Sequence, residues 1–99
     1  MSLKRITRFF QKTVTTTTLQ VIAYNKDRAG LLLKNLSGSA AYISSDSNAI
    51  TTNGYRLDVG EFLSFIKVDG DMSETQIYAA TSAGTADLRI VESFVVEAP

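Results

Sequence analysis

Residues 13–23 read Thr-Val-Thr-Thr-Thr-Thr-Leu-Gln-Val-Ile-Ala, almost entirely β-branched or apolar. Counted in twos, Leu19, Val21 and Ala23 share one face, and Val14, Thr16, Thr18, Gln20 and Ile22 share the other, which predicts a strand. Residues 31–36 form a short apolar run without the length of a buried helix, and residues 41–43 resume as a strand after Ser37-Gly38-Ser39. Residues 62–68 alternate, with Phe62, Ser64, Ile66 and Val68 on one side and Leu63, Phe65 and Lys67 on the other. A short strand is expected at 76–80 and a long one at 86–96. In the long one Leu88, Ile90, Phe94 and Val96 share a face that only Glu92 interrupts. Between these runs lie Asn25-Lys26-Asp27-Arg28, Ser44-Ser45-Asp46, Asn53-Gly54, Gly60, Asp69-Gly70-Asp71 and Ser82-Ala83-Gly84, all turn chemistry. Asn53-Gly54 is suited to the positive φ angles of a tight turn. Strands at roughly ten-residue spacing with such turns between them predict an all-β fold. The expectation is an antiparallel β-sandwich, jelly-roll-like or immunoglobulin-like. Its expected core is Leu19, Val21, Leu31, Leu33, Ile43, Leu57, Phe62, Ile66, Ile77, Leu88 and Ile90.

The first twelve residues break this pattern. On a helical wheel Leu3, Ile6, Phe9 and Phe10 fall in one sector and Lys4, Arg5, Arg8 and Lys12 in the opposite one. As a strand the same residues mix charged and apolar groups on both faces. Residues 1–12 are therefore read as a basic amphipathic arm, and 13–99 as a single sandwich domain. Two readings of the arm stand side by side: a segment folded onto its own sandwich, or a segment ordered by a partner. On the second, these eight residues form the expected interface.

The chain has 99 residues, 44% of them hydrophobic and 20% charged, within the range of one globular domain. It contains neither Cys nor His, which excludes disulfides, thiol nucleophiles, zinc sites built on those residues, and Ser-His-Asp triads. The basic start is not followed by an apolar stretch, so no export signal is expected, and no apolar run reaches the about 18 residues of a membrane span. Net charge is zero, but unevenly spread. Residues 1–34 hold seven basic groups against Asp27 alone, a net +6, and residues 35–99 hold three against nine acids, a net −6. Either neighbouring strands of one subunit cancel these segments, or they direct contacts between subunits.

Motifs that carry chemistry are few. Asp69, Asp71 and Glu74 lack the further oxygen ligands of a calcium loop and read as a solvated turn. Asn35-Leu36-Ser37 fits a glycosylation sequon by chance, at the end of an apolar strand. No phosphate loop, dinucleotide fingerprint or nucleophile elbow occurs, and scattered acids are weak support for a carboxylate enzyme. No enzymatic activity, metal or cofactor is expected. Tyr24, Tyr42, Tyr55 and Tyr78 raise the alternative of a ligand- or carbohydrate-binding, adhesin-like module, which needs them gathered on one surface. Neither nucleic acid nor membrane is an expected partner, since the basic groups do not alternate with the aromatics and the arm is a weak membrane-surface helix.

From Val14 onward the order of features resembles a group of small tailed-phage virion proteins. The features are Arg28 ahead of an apolar strand ending in Asn35-Leu36-Ser37, Tyr42-Ile43, Thr52-Asn53-Gly54, the Leu57 to Glu61 step, Ile77-Tyr78-Ala79, and the closing strand through Leu88 and Glu92. They are framework signals, turn glycines and strand hydrophobes, and the basic arm has no counterpart among them. The resemblance implies a non-enzymatic virion structural protein made in the host cytoplasm: a capsid decoration or cement subunit on the major capsid protein, a head-fibre base, or a neck or tail accessory. It also implies a homo-oligomer, a trimer ahead of a dimer, because lattice points favour cyclic assemblies.

Overall fold

A computed structural model describes residues 2–48, 50–66 and 75–98. Among them are eight strands: β1 (Ser2–Val14), β2 (Leu19–Ile22), β3 (Arg28–Gly38), β4 (Ala41–Ser44), β5 (Tyr55–Leu57), β6 (Phe62–Ile66), β7 (Ile77–Ala80) and β8 (Ala86–Ala98). A single helical turn, α1 (Ile50–Asn53), precedes β5. The strands form two four-stranded antiparallel sheets, ordered β1-β8-β3-β6 and β2-β7-β4-β5. Pairings nest along the chain: β1 with β8, β2 with β7, β3 with β6 and β4 with β5. A ribbon folded at β4 and β5 and wrapped into two layers produces that order, which is the jelly-roll arrangement. The all-β sandwich expected from strand spacing is thus present, in its jelly-roll form.

Between the sheets lie Val14, Val21, Ile22, Leu31, Leu33, Ala41, Ile43, Leu57, Ile77, Ala79, Ala86, Leu88 and Ile90, with Phe10, Leu63 and Phe65 packed against them. Two expected core residues are not there. Leu19 is exposed on the edge strand β2, and Phe62 is 64% exposed on the outer face of β6. The error at β6 is one of parity. Both faces of that strand are apolar, so alternation could not say which turns inward, and a shift of one residue exchanges them. Leu63 and Phe65 took the inner side. The side chain of Ile66 and the turn residues Asp69, Asp71 and Glu74 lie outside the described residues.

The threonine run is also reassigned. Residues 15–18 are not strand but the crossing from one sheet to the other, where Thr17 N–H donates to Thr15 Oγ1 (3.2 Å) and Thr81 N–H to Thr15 O (2.9 Å). Strand propensity loses here to the need to change layers. Gly54 is required for another reason than the one its sequence suggests. It lacks a positive φ, and a Cβ there would collide with Ile50 O, inside the turn closed by Gly54 N–H to Ile50 O (2.7 Å).

Candidate functional site

The N-terminal segment is a strand, not a helix. β1 pairs with β8 over its full length, from Ser2 opposite Ala98 to Val14 opposite Ala86, with no irregularity in register. The strand therefore runs straight through the boundary expected between residues 12 and 13. A partner strand of matching length satisfies the backbone along one whole edge, an advantage that a lone ten-residue helix lacks. The helical-wheel sectors are consequently redistributed by period two. Lys4, Ile6, Arg8, Phe10 and Lys12 share the face of Val14, while Leu3, Arg5 and Phe9 share the outer face. Phe10 packs against the core and Ile6 is half-buried, whereas Leu3 is 71% and Phe9 76% exposed. The four apolar residues of the segment thus do not form one docking stripe. Lys4, Arg5 and Lys12 have no ion-pair partner among the described residues.

β8 outruns β3. Its pairing with β3 extends to Phe94 opposite Arg28, and Val95 N–H donates to Asp27 O (3.0 Å). Beyond that point β1 and β8 continue together as a two-stranded ribbon carrying Leu3, Lys4 and Arg5. A 13-residue strand at about 3.3 Å per residue is about 43 Å long, which accounts for most of the 49 Å long axis.

A buried ion pair lies beside the root of this ribbon. Arg28 is fully buried and Glu92 is 3% exposed, and Arg28 Nε donates to Glu92 Oε2 (3.0 Å). Arg28 also donates from Nη1 to Thr75 O (2.8 Å) and from Nη2 to Ala23 O. Asn25 Nδ2 donates to the same Glu92 oxygen (3.3 Å), and Arg8 Nε stands 3.9 Å from the other. The Arg8 guanidinium lies 5.6 Å from the centre of the Phe10 ring. Desolvating two charges is tolerated because several hydrogen bonds converge on them. Glu92, the interruption in an apolar face, was the sequence signal for this site. Its cation was hidden in what read as a turn.

Where the edge strands β1 and β2 part, a cleft of about 570 Å³ opens, with Phe10, Val21 and Ile22 on its walls and Lys12, Gln20 and Tyr24 at its rim. Among the described residues Glu92 is the one carboxylate lining it, and Arg28 engages that group. Two of the four tyrosines are neighbours: Tyr42, opposite Ala80, and Tyr78, opposite Ser44, are diagonal on the outer face of their sheet, whereas Tyr55 sits opposite Ile43 on an edge strand and Tyr24 follows β2. Asn35 of the sequon is fully buried, donating from Nδ2 to Ser39 O (2.9 Å) and Leu57 O (3.0 Å), so it presents no amide for modification. Among the described residues no group of three or more acids gathers as a metal site. On the outer face Arg89 donates from Nε (3.0 Å) and Nη2 (3.1 Å) to Asp87. Those bonds hold the Asp87 carboxyl below its ordinary 3.8 and raise the Arg89 guanidinium. No described helix is long and apolar enough to cross a membrane.

No protein-family model matches this chain, and no curated protein matches it in sequence. In fold it is similar to a solved structure from Bacillus endospore appendages, described as a family of disulfide-linked pili. The TM-score is 0.58 at 14% identity, over 97% of this chain and 90% of that one. That likeness concerns the sandwich alone.

Proposed function

We propose that this chain is a non-enzymatic structural subunit of a virion, a capsid decoration or cement protein that docks on the major capsid protein. The observation that carries the reading is the ribbon of β1 and β8, which continues past the last β3 pairing and bears Leu3, Lys4 and Arg5 at its end. Such a ribbon is ordered before it binds. Its backbone bonds are already made within the subunit, so docking does not bear the ordering cost of a disordered arm. An exposed leucine beside two cations without an ion-pair partner among the described residues suits an apolar notch rimmed by acids. Only Tyr42 and Tyr78 of the four tyrosines stand together, which counts against a carbohydrate platform built from all of them, and the engagement of Glu92 by Arg28 counts against acid–base chemistry in the cleft.

The appendage neighbour favours a second reading, a subunit of a surface appendage. With no cysteine in the chain, an appendage of this protein is held without disulfides. Co-sedimentation with particles lacking the subunit tests the first reading. Leu3→Asp and the pair Lys4→Glu with Arg5→Glu should abolish binding while leaving the thermal midpoint within a few degrees, and wild-type binding should weaken with salt. Binding untouched by these changes would overturn it. Filaments of the purified chain without affinity for particles would favour the appendage.

A further inference from the structure

The sheet β1-β8-β3-β6 has two free edges among the described residues, and they complement each other. Three antiparallel steps separate β1 from β6, so the two run in opposite directions. A second copy displaced sideways across the sheet therefore presents its β1 antiparallel to β6. Continuing the rows of the sheet sets the register. The row Lys12–Leu88–Asn35 ends at Glu61, whose carbonyl accepts from Asn35 N–H (3.1 Å), and the row Phe10–Ile90–Leu33 ends at Leu63. Across the joint Lys12 would face Glu61, Phe10 would face Leu63, Arg8 would face the Phe65 ring, and Gln11 would face Phe62. The exposed Phe9 and Phe62 become diagonal neighbours on the outer face, within aromatic reach.

We propose that β1 of one copy adds to β6 of the next, head to tail, building a continuous antiparallel sheet through successive subunits. This mode rests on the structural-subunit reading and specifies how the copies associate. Competing edges serve β1 less well. Two β1 strands meeting about a two-fold axis at Arg8 would oppose Arg8 to Arg8 and Lys4 to Lys12, and any other register still crowds the same cations along one joint. β2 is four residues long with an irregular register, and β5 is three residues long and centred on Arg56. β6 is five residues long, pairs without a bulge and begins beside Glu61. Exposed edges of this kind are templates for strand addition, and a heterologous contact closes into a ring or runs on as a filament.

The chain has no cysteine, so engineered ones report without background. Gln11→Cys and Phe62→Cys in one chain lie at opposite edges of the sheet, three strand spacings or about 14 Å apart, too far to bridge internally. Under mild oxidation, read on denaturing gels, the double variant should give a ladder or a closed ring of more than two subunits, and each single variant should remain largely without cross-links. Thr7→Cys with Phe62→Cys, out of register, should cross-link far less. In light scattering at low salt, Lys12→Glu and Glu61→Lys should each weaken self-association roughly tenfold, and the two together should restore it. A chain monomeric at every concentration, dimers alone from the double-cysteine variant, or no restoration by the charge swap would overturn the proposal. A monomeric chain that still bound particles would defeat this mode and leave the docking reading standing. Assembly without particle binding would do the reverse.

Discussion

Replacing Arg28 by methionine keeps most of the side-chain volume and removes the charge. Among the described residues it loses a bond to Glu92 (3.0 Å), one to Thr75 O (2.8 Å) and one to Ala23 O. It also leaves behind a carboxylate at 3% exposure whose remaining contacts among those residues are Asn25 (3.3 Å) and the more distant Arg8 (3.9 Å). Stranding one member of a buried pair costs about 3–5 kcal/mol, a large share of the about 5–15 kcal/mol that holds such a domain. At this size the thermal midpoint should fall by roughly 15–30 °C. Denaturant titration of four proteins checks the reasoning: wild type, Arg28→Met, Glu92→Leu, and both together. If the penalty comes from the orphaned partner, the double variant should recover most of the stability lost by Arg28→Met. A single-variant loss below about 1 kcal/mol, or a double variant as unstable as the two losses added, would refute it.

Three further outcomes follow from the same structure. Ile90→Ala, deep in the core, should cost about 2–5 kcal/mol, whereas Phe62→Ala on the outer face should cost less than about 1 kcal/mol; urea midpoints of the two variants separate them. Deleting residues 1–12 should lower the thermal midpoint by at least several degrees, because β8 loses its partner strand and the core loses Phe10; an unchanged midpoint would show that β1 is not part of the sheet. In the absence of histidine, stability should be flat between about pH 6 and 8. The contribution of Asp87, whose folded carboxyl is held below its ordinary 3.8 by Arg89, is present above that value and lost as pH falls through the depressed one. Thermal melts across pH, with Asp87→Asn as control, check the sign, and the effect should be small because the pair is exposed.

The chain by itself determined an all-β fold of antiparallel strands, while the jelly-roll order of those strands came from the tertiary pairings. Alternation in 86–96, with Leu88 and Ile90 on one face, the short apolar run 31–36, and turn clusters holding Gly38, Gly60 and Gly84 between the runs mark strands and their ends. These signals are local and need no knowledge of partners. Three things were decided only by the tertiary structure. The amino end, helical by its own periodicity, became a strand because β8 offered thirteen residues of matching backbone, and hydrogen bonds to a distant segment are invisible in a local pattern. The inward face of β6 depended on which of two apolar faces met the opposite sheet. Arg28 and Glu92 lie 64 positions apart, and their burial was conceivable only together, since each charge tolerates the interior through the other. The candidate assembly edges belong to the same class. Lys12 and Glu61 are unremarkable surface charges along the chain, and only the order β1-β8-β3-β6 sets them at opposite ends of one row.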